Sequence, residues 1–205
     1  MSGAAAFDPY KEAETIVMQS SDSLLPDPKL IEKVQADVAL IREQHDEVKY
    51  IRNHGVTQLG QVLVIDYYSA LLDKINKSEF GPATLKSKSW RYKGWLHVAD
   101  AVVEFSKPYN PHALVKELAK LGITATPIVH RSPYDSGDIE YIKGADVYSF
   151  PRYCYVHYCS SGPSSWKFSV TDGKATLSEE TSPVGTGFGG EGISLQEVAN
   201  ATNNF

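Results

Sequence analysis

From Asp27 to Gly55 the chain alternates apolar and polar positions at spacings of three and four, and Ile31, Val34, Val38, Ile41, His45 and Val48 fall on one line. That period predicts one long amphipathic helix with the seam of a left-handed coil. Asp27 can accept hydrogen bonds from the free N–H groups of the first turn, Pro28 lacks only a donor that would be unpaired there, and Gly55 supplies the stop. Leu30, Leu40 and Ile51 lie off the seam and broaden the apolar face. Leu30, Leu40 and Ile51 make packing inside the chain's own domain the first use of this helix, and an intermolecular bundle, with the six seam positions as its oligomer interface, the second. On that seam His45 reads as a polar register-setting residue or a satisfied core histidine.

Before this helix, Asp8 as cap and Pro9 at the first position predict a short helix over Phe7 to Met18, followed by the linker QSSDSLLPD. After it, Thr57 is expected to cap a second helix reaching about Lys77, with Val62, Ile65, Ser69, Leu72 and Ile75 towards one side. Two helices so closely joined would pack as an antiparallel hairpin. The run Val62-Leu63-Val64-Ile65 also carries strand propensity.

The pattern changes at Gly81-Pro82. WRYKGWLHVADAVVEFS, residues 90–106, is aromatic and β-branched without a helical period, and predicts strands with Gly94 at a bulge. Asn110 and Pro111 then open a helix with Leu114, Leu118 and Leu121 on its inner face and Gly122 at its end. The strand ITATPIVHR follows, so a strand-helix-strand unit is expected to lay two parallel strands side by side. Residues 132–138 form a loop, and Asp146 to Cys159 reads as a strand at an edge or bulge because of Pro151. WKFSVTDGKATLS predicts two strands joined by Asp172-Gly173, a pair suited to positive φ at both turn positions. After Glu179 the glycine-rich TSPVGTGFGGEGIS is short of large apolar side chains and cannot fold alone.

These elements predict an α+β protein: an N-terminal helical hairpin, an aromatic-rich β-sheet with one crossover helix, and a flexible Gly-rich C-terminal tail. The expected division is a flexible arm with a short helix over 1–26, the helical hairpin over 27–80, the sheet domain over 85–178 and the tail over 179–205. A chain of 205 residues can bury a sizeable core without staples. Its net charge of -5 argues against coating of nucleic acid by the whole surface, while leaving room for a local basic patch. No apolar run approaches a membrane span, and the opening MSGAAAFDPYKEAE carries neither a basic leader nor a long apolar stretch, so a cytoplasmic protein is expected.

The densest candidate chemistry is LKSKSWRYKGW. Lys86, Lys88, Arg91 and Lys93 alternate with Trp90, Tyr92 and Trp95. Cations attract phosphate and aromatic faces stack on unpaired bases, which suits single-stranded nucleic acid. As a strand, the stretch would place Lys86, Lys88, Trp90 and Tyr92 on one face. A second candidate is His130 with the loop 132–138, since a strand end feeding a loop is a usual place for function. Tyr134, Tyr141, Tyr148, Tyr153, Tyr155 and Tyr158 are read first as ordinary strand packing, and otherwise as an amphipathic surface for protein contacts or a ligand. Cys154, His157 and Cys159 do not share one strand face and lack the paired spacing of a zinc site. No phosphate loop, dinucleotide fingerprint, nucleophile elbow or HExxH helix occurs in the sequence. No cofactor or metal is expected. The leading expectation is a non-catalytic assembly or structural protein, coat- or scaffold-like, that self-associates and can contact single-stranded nucleic acid through 86–95. The alternatives are a small-ligand protein or enzyme built on His130, and an adaptor that binds partners through the helix 28–54.

Overall fold

The computed structural model describes residues 7–53, 56–93, 95–130, 138–152 and 164–181. In chain order the elements are α1 (Pro9–Ser20), α2 (Pro28–Gln44), a 3-10 turn (Asp46–Val48), β1 (Val56–Tyr67), α3 (Ser69–Asn76), β2 (Ala83–Lys93) and β3 (Leu96–Phe105). There follow α4 (Pro111–Lys120), β4 (Ala125–His130), β5 (Glu140–Ile142), β6 (Val147–Arg152), β7 (Ser164–Thr171) and β8 (Lys174–Thr181). The class is α+β, with two antiparallel sheets of four strands each among the described residues. The described residues fall into two compact units: one from Met1–Ser20, Lys29–Gly55 and Arg131–Phe205, the other from Ser21–Pro28 and Val56–His130. This division replaces the contiguous one expected, because each sheet gathers its own helices and the second unit interrupts the first in sequence.

In the first unit the strands follow the order β5-β6-β7-β8. The pairs Tyr141↔Tyr148, Tyr148↔Phe168 and Phe150↔Trp166 share one face, which α1 and α2 cover. Ile31, Val34, Val38, Ile41 and Val48 are buried there beside Ile16 and Val17 of α1. Of the two uses read for the seam, packing within the chain's own domain is the one observed, and the seam meets the chain's own sheet. The helix also stops earlier than its pattern predicts. Gln44 donates to the Gly173 carbonyl at 3.3 Å and accepts from the Ala175 N–H at 2.9 Å, so the β7–β8 turn docks on the last residue of α2. The next residue, His45, is extended, with its ring 4.6 Å from that of Phe168 and its Nε2 3.3 Å from the Ala175 oxygen. Asp172 and Gly173 hold φ of 52° and 71°, the positive pair that their sequence predicts.

The second unit corrects the helical hairpin. Only Ser69–Asn76 of the expected second helix is helical, and Val56–Tyr67 is a strand paired to β3 on one side and β4 on the other. Val62 and Val64 point into the core while Leu63 and Ile65 are half-buried on the opposite face, which is the signature of a central strand rather than of a helix. The sheet order is β2-β3-β1-β4. The helix α4 does cross over between two parallel strands, but β1 lies between them instead of leaving them adjacent, which makes the split β-α-β-β-α-β arrangement. Leu71 and Ile75 of α3 and Leu114 and Leu118 of α4 cover one face of this sheet with Val103 and Phe105. Asn110 caps α4 by accepting from the His112 N–H at 3.0 Å, and its side-chain amide donates to the carbonyls of Ser21 and Ser23.

Candidate interaction surface

The stretch 86–95 forms most of β2, an edge strand among the described residues, and the end of the β2–β3 hairpin. Residues pair in strict order from Ser87↔Val102 to Lys93↔Leu96, but a bulge lies between Leu85 and Ser87. The extra residue, Lys86, is turned to the side of Glu104, to which it is bonded at 2.7 Å. The bulge therefore breaks the expected common face: Lys86 lies with Ser87, Ser89 and Arg91, while Lys88, Trp90 and Tyr92 lie opposite.

On the first of these faces each cation meets a carboxylate. Arg91 donates from Nε to Asp100 at 2.7 Å and from Nη2 to Asp66 at 2.6 Å, and Lys93 reaches the other oxygen of Asp66 at 2.6 Å. Asp66 takes this position from a second bulge, with φ of 51° in the left-handed region that aspartate tolerates. Its own N–H donates to Asp100 at 3.0 Å. The bond from Arg91 holds the Asp100 carboxyl below the usual carboxylate range, against the opposing effect of burial. Glu104 is likewise lowered, chiefly by Lys86. Three cations are thus matched by three carboxylates, none of which belongs to the basic stretch itself.

The other face keeps its aromatic character. Trp90 is 68 % exposed, Tyr92 74 % and Trp95, at the hairpin end, 100 %. Tyr92 packs against the His97 ring at 4.2 Å, and the Lys88 ammonium lies 5.0 Å from the centre of the Tyr67 ring. Among the described residues Lys88 is the cation of this stretch with no carboxylate bond, and it lies on the side of the rings. The sequence carries no local sign of this sorting, because the bulge and all three neutralising carboxylates are supplied by pairing with β3 and β1.

The remaining candidates fare differently. Ile31, Val34, Val38, Ile41 and Val48 are core residues, and His45 sits against Phe168. Tyr141 and Tyr148 are strand residues buried in the core cluster with α2. The side chain of His130, residues 131–137, Cys154, His157, Cys159 and Tyr134, Tyr153, Tyr155 and Tyr158 lie outside the described residues, as does the stretch 182–205. Among the described residues no group of three or more His, Cys, Asp or Glu is placed to hold a metal ion, and no helix is long and apolar enough to cross a membrane.

The chain matches no family model, no curated protein and no solved structure. The split β-α-β-β-α-β arrangement serves many unrelated roles and by itself assigns none.

Proposed function

We propose that the protein is a non-catalytic assembly or structural subunit whose contact surface is the aromatic end of the β2–β3 hairpin, with a second copy of the chain as its partner. The exposure of Trp90, Tyr92 and Trp95 on one hairpin carries this reading. Large aromatic side chains are rarely left in water together, and they dominate the energy of protein contacts because they bury much area at little entropic cost. The opposite face of the hairpin is electrically balanced, so two copies can approach without the repulsion that four unpaired cations on β2 would bring. Replacing Trp90, Tyr92 and Trp95 together by serine leaves the core of the second unit untouched. Size-exclusion chromatography with light scattering should show a self-associated wild type and a monomeric triple variant with an unchanged circular dichroism spectrum. A wild type that is monomeric at all concentrations, or a triple variant of unchanged mass, overturns the proposal.

One observation favours a second reading, contact with single-stranded nucleic acid. Lys88 stands on the same face as Trp90 and Tyr92, so a phosphate and two stacked bases could be met there together. The same chromatography, recorded at the protein and nucleic-acid absorbance maxima, separates the two. Bound nucleic acid that is lost in Lys88→Ala and Trp90→Ser but kept in Arg91→Ala would favour this reading, because Arg91 is committed to Asp100 and Asp66 on the other face.

A further inference from the structure

Between α1 and α2 in the first unit lies a cavity of about 250 Å³. It is lined by Ala13 and Ile16 of α1, by Val38 and Ala39 of α2, and by Phe7 and Arg52. Ala13 is buried and Ala39 exposed, so the cavity opens to solvent beside α2. The cavity also carries charge. Arg42 spans to Glu12 with two parallel bonds, Nη1 to Oε2 at 2.7 Å and Nη2 to Oε1 at 2.8 Å. The Ile51 carbonyl accepts from Arg42 Nη2 at 2.6 Å and from Arg52 Nη1 at 2.9 Å, so the two guanidinium groups converge on one oxygen. Both also lie over the Phe7 ring, 5.8 Å and 5.0 Å from its centre.

Two cations here share one carboxylate. Arg52 spends Nη1 on the carbonyls of Lys49 and Ile51, which leaves Nε and Nη2 without a hydrogen bond among the described residues. Burial, and then the charge of Arg42, hold Arg52 below the ordinary guanidinium value despite the attraction of Glu12. Such a group is short of counter-charge by one unit.

We infer that this cavity is a binding site for a small monocarboxylate with an apolar body, the carboxylate taken by Arg52 and the body lying between Ile16 and Val38. A planar fork with two donors that make no hydrogen bond among the described residues matches a carboxylate, as the two-bond contact of neighbouring Arg42 with Glu12 illustrates. The missing charge is a single negative one, and a phosphate dianion would set its second charge against buried Glu12. The apolar walls exclude a fully hydrated anion and favour a body of a few methylenes or one ring. This site is independent of the hairpin surface and belongs to the other unit.

The test uses the full chain with benzoate and hexanoate as probes, benzamide and hexanol as uncharged counterparts, and inorganic phosphate as a competitor. Isothermal calorimetry should give saturable binding of at least one carboxylate with Kd of about 1 mM or tighter. Arg52→Gln should weaken it about tenfold or more, while the uncharged counterparts bind at least tenfold more weakly and phosphate does not compete. Ala13→Leu, which adds volume at a buried wall residue without replacing a charge, should weaken binding in a variant that keeps its circular dichroism spectrum. A ligand-induced rise in the urea midpoint of the wild type, absent in Arg52→Gln, gives the same answer without relying on either variant's affinity. Absence of saturable binding, equal binding of benzamide, or unchanged binding in a folded Arg52→Gln variant overturns the assignment. None of these results bears on the mass of the assembly, so this site and the hairpin contact fail separately.

Discussion

Tyr148 donates its hydroxyl proton to Asp37 at 2.5 Å, joining the middle of the first sheet to α2. Beside it the Tyr141 hydroxyl donates to Asp146 at 2.8 Å, and the Lys33 ammonium bonds both carboxylates at 2.7 Å. The two phenol rings stack at 4.9 Å, and Lys33 stands 5.6 Å and 5.7 Å from their centres.

This cluster makes the fold sensitive to alkali. Burial, and then the bond to Asp146, push Tyr141 up to about 12, and burial together with Asp37 raises Tyr148 as well. Burial opposes the charge of Lys33, but its bonds to Asp146 and Asp37 prevail and hold it above the ordinary lysine value. All three groups keep protons in the fold that the unfolded chain releases near pH 10, so the stability they add is fully present below that and is lost as pH rises from about 10 towards 12. Urea unfolding at a series of pH values checks this, and Tyr141→Phe should flatten the decline. Asp146 acts at the other end: its bond to Lys33 lowers it from 3.8, so the stability it adds is present above that pH and is lost on further acidification. An alkaline profile identical in wild type and Tyr141→Phe would refute the assignment.

The Glu12–Arg42 pair is nearly sealed from water, with side-chain exposures of 3 % and 10 %. Removing one partner leaves an uncompensated buried charge, so Glu12→Gln should lower the unfolding free energy by about 3–5 kcal/mol. The double replacement Glu12→Leu with Arg42→Met should cost clearly less than the sum of the two single ones, because no charge is then stranded. Chemical denaturation of the four proteins of this cycle measures it.

Gly60 opens the irregular stretch of β1, where its N–H donates to the Tyr109 carbonyl at 2.7 Å. Its φ is 67°, and a Cβ placed there would come within 2.7 Å of the Lys107 carbonyl oxygen. Gly60→Ala should therefore cost about 1–3 kcal/mol. Gly144 meets nothing within 4 Å and provides the control: Gly144→Ala should stay within about 0.5 kcal/mol of wild type in the same thermal denaturation.

Asn110 has two separate duties, accepting from the His112 N–H and donating to the carbonyls of Ser21 and Ser23. Loss of the cap alone is worth about 1 kcal/mol, and the donor bonds add about another. Asn110→Ala should thus cost about 2 kcal/mol, while Asn110→Asp keeps the cap, loses the donor and should recover roughly half. Hydrogen exchange separates the two duties: the His112 amide should lose protection in the alanine variant and retain it in the aspartate one.

The elements that the sequence settled alone are those whose signals are local. Asp8 and Pro9 open α1, Asn110 and Pro111 open α4, and Asp172-Gly173 turn β7 into β8, because each acts on backbone groups within a few residues of itself. The seam of α2 also marked its buried face correctly. What the seam faced, and where the helix ended, depended on a hairpin some 130 residues further on: Gln44 and His45 both bond the backbone around Ala175. Tertiary structure likewise decided the segment Val56–Tyr67. Helical bonds close within a turn, whereas a strand's bonds are supplied by neighbours, and both neighbours of β1 lie later in the chain. The hairpin surface shows the same limit in electrostatic form. Arg91 and its neighbours were legible as a basic stretch, but their charge is cancelled by Asp66, Asp100 and Glu104, which only sheet pairing brings within bonding distance. Which side chains occur is written in the sequence, and which of them remain available to a partner is a matter of distance in space.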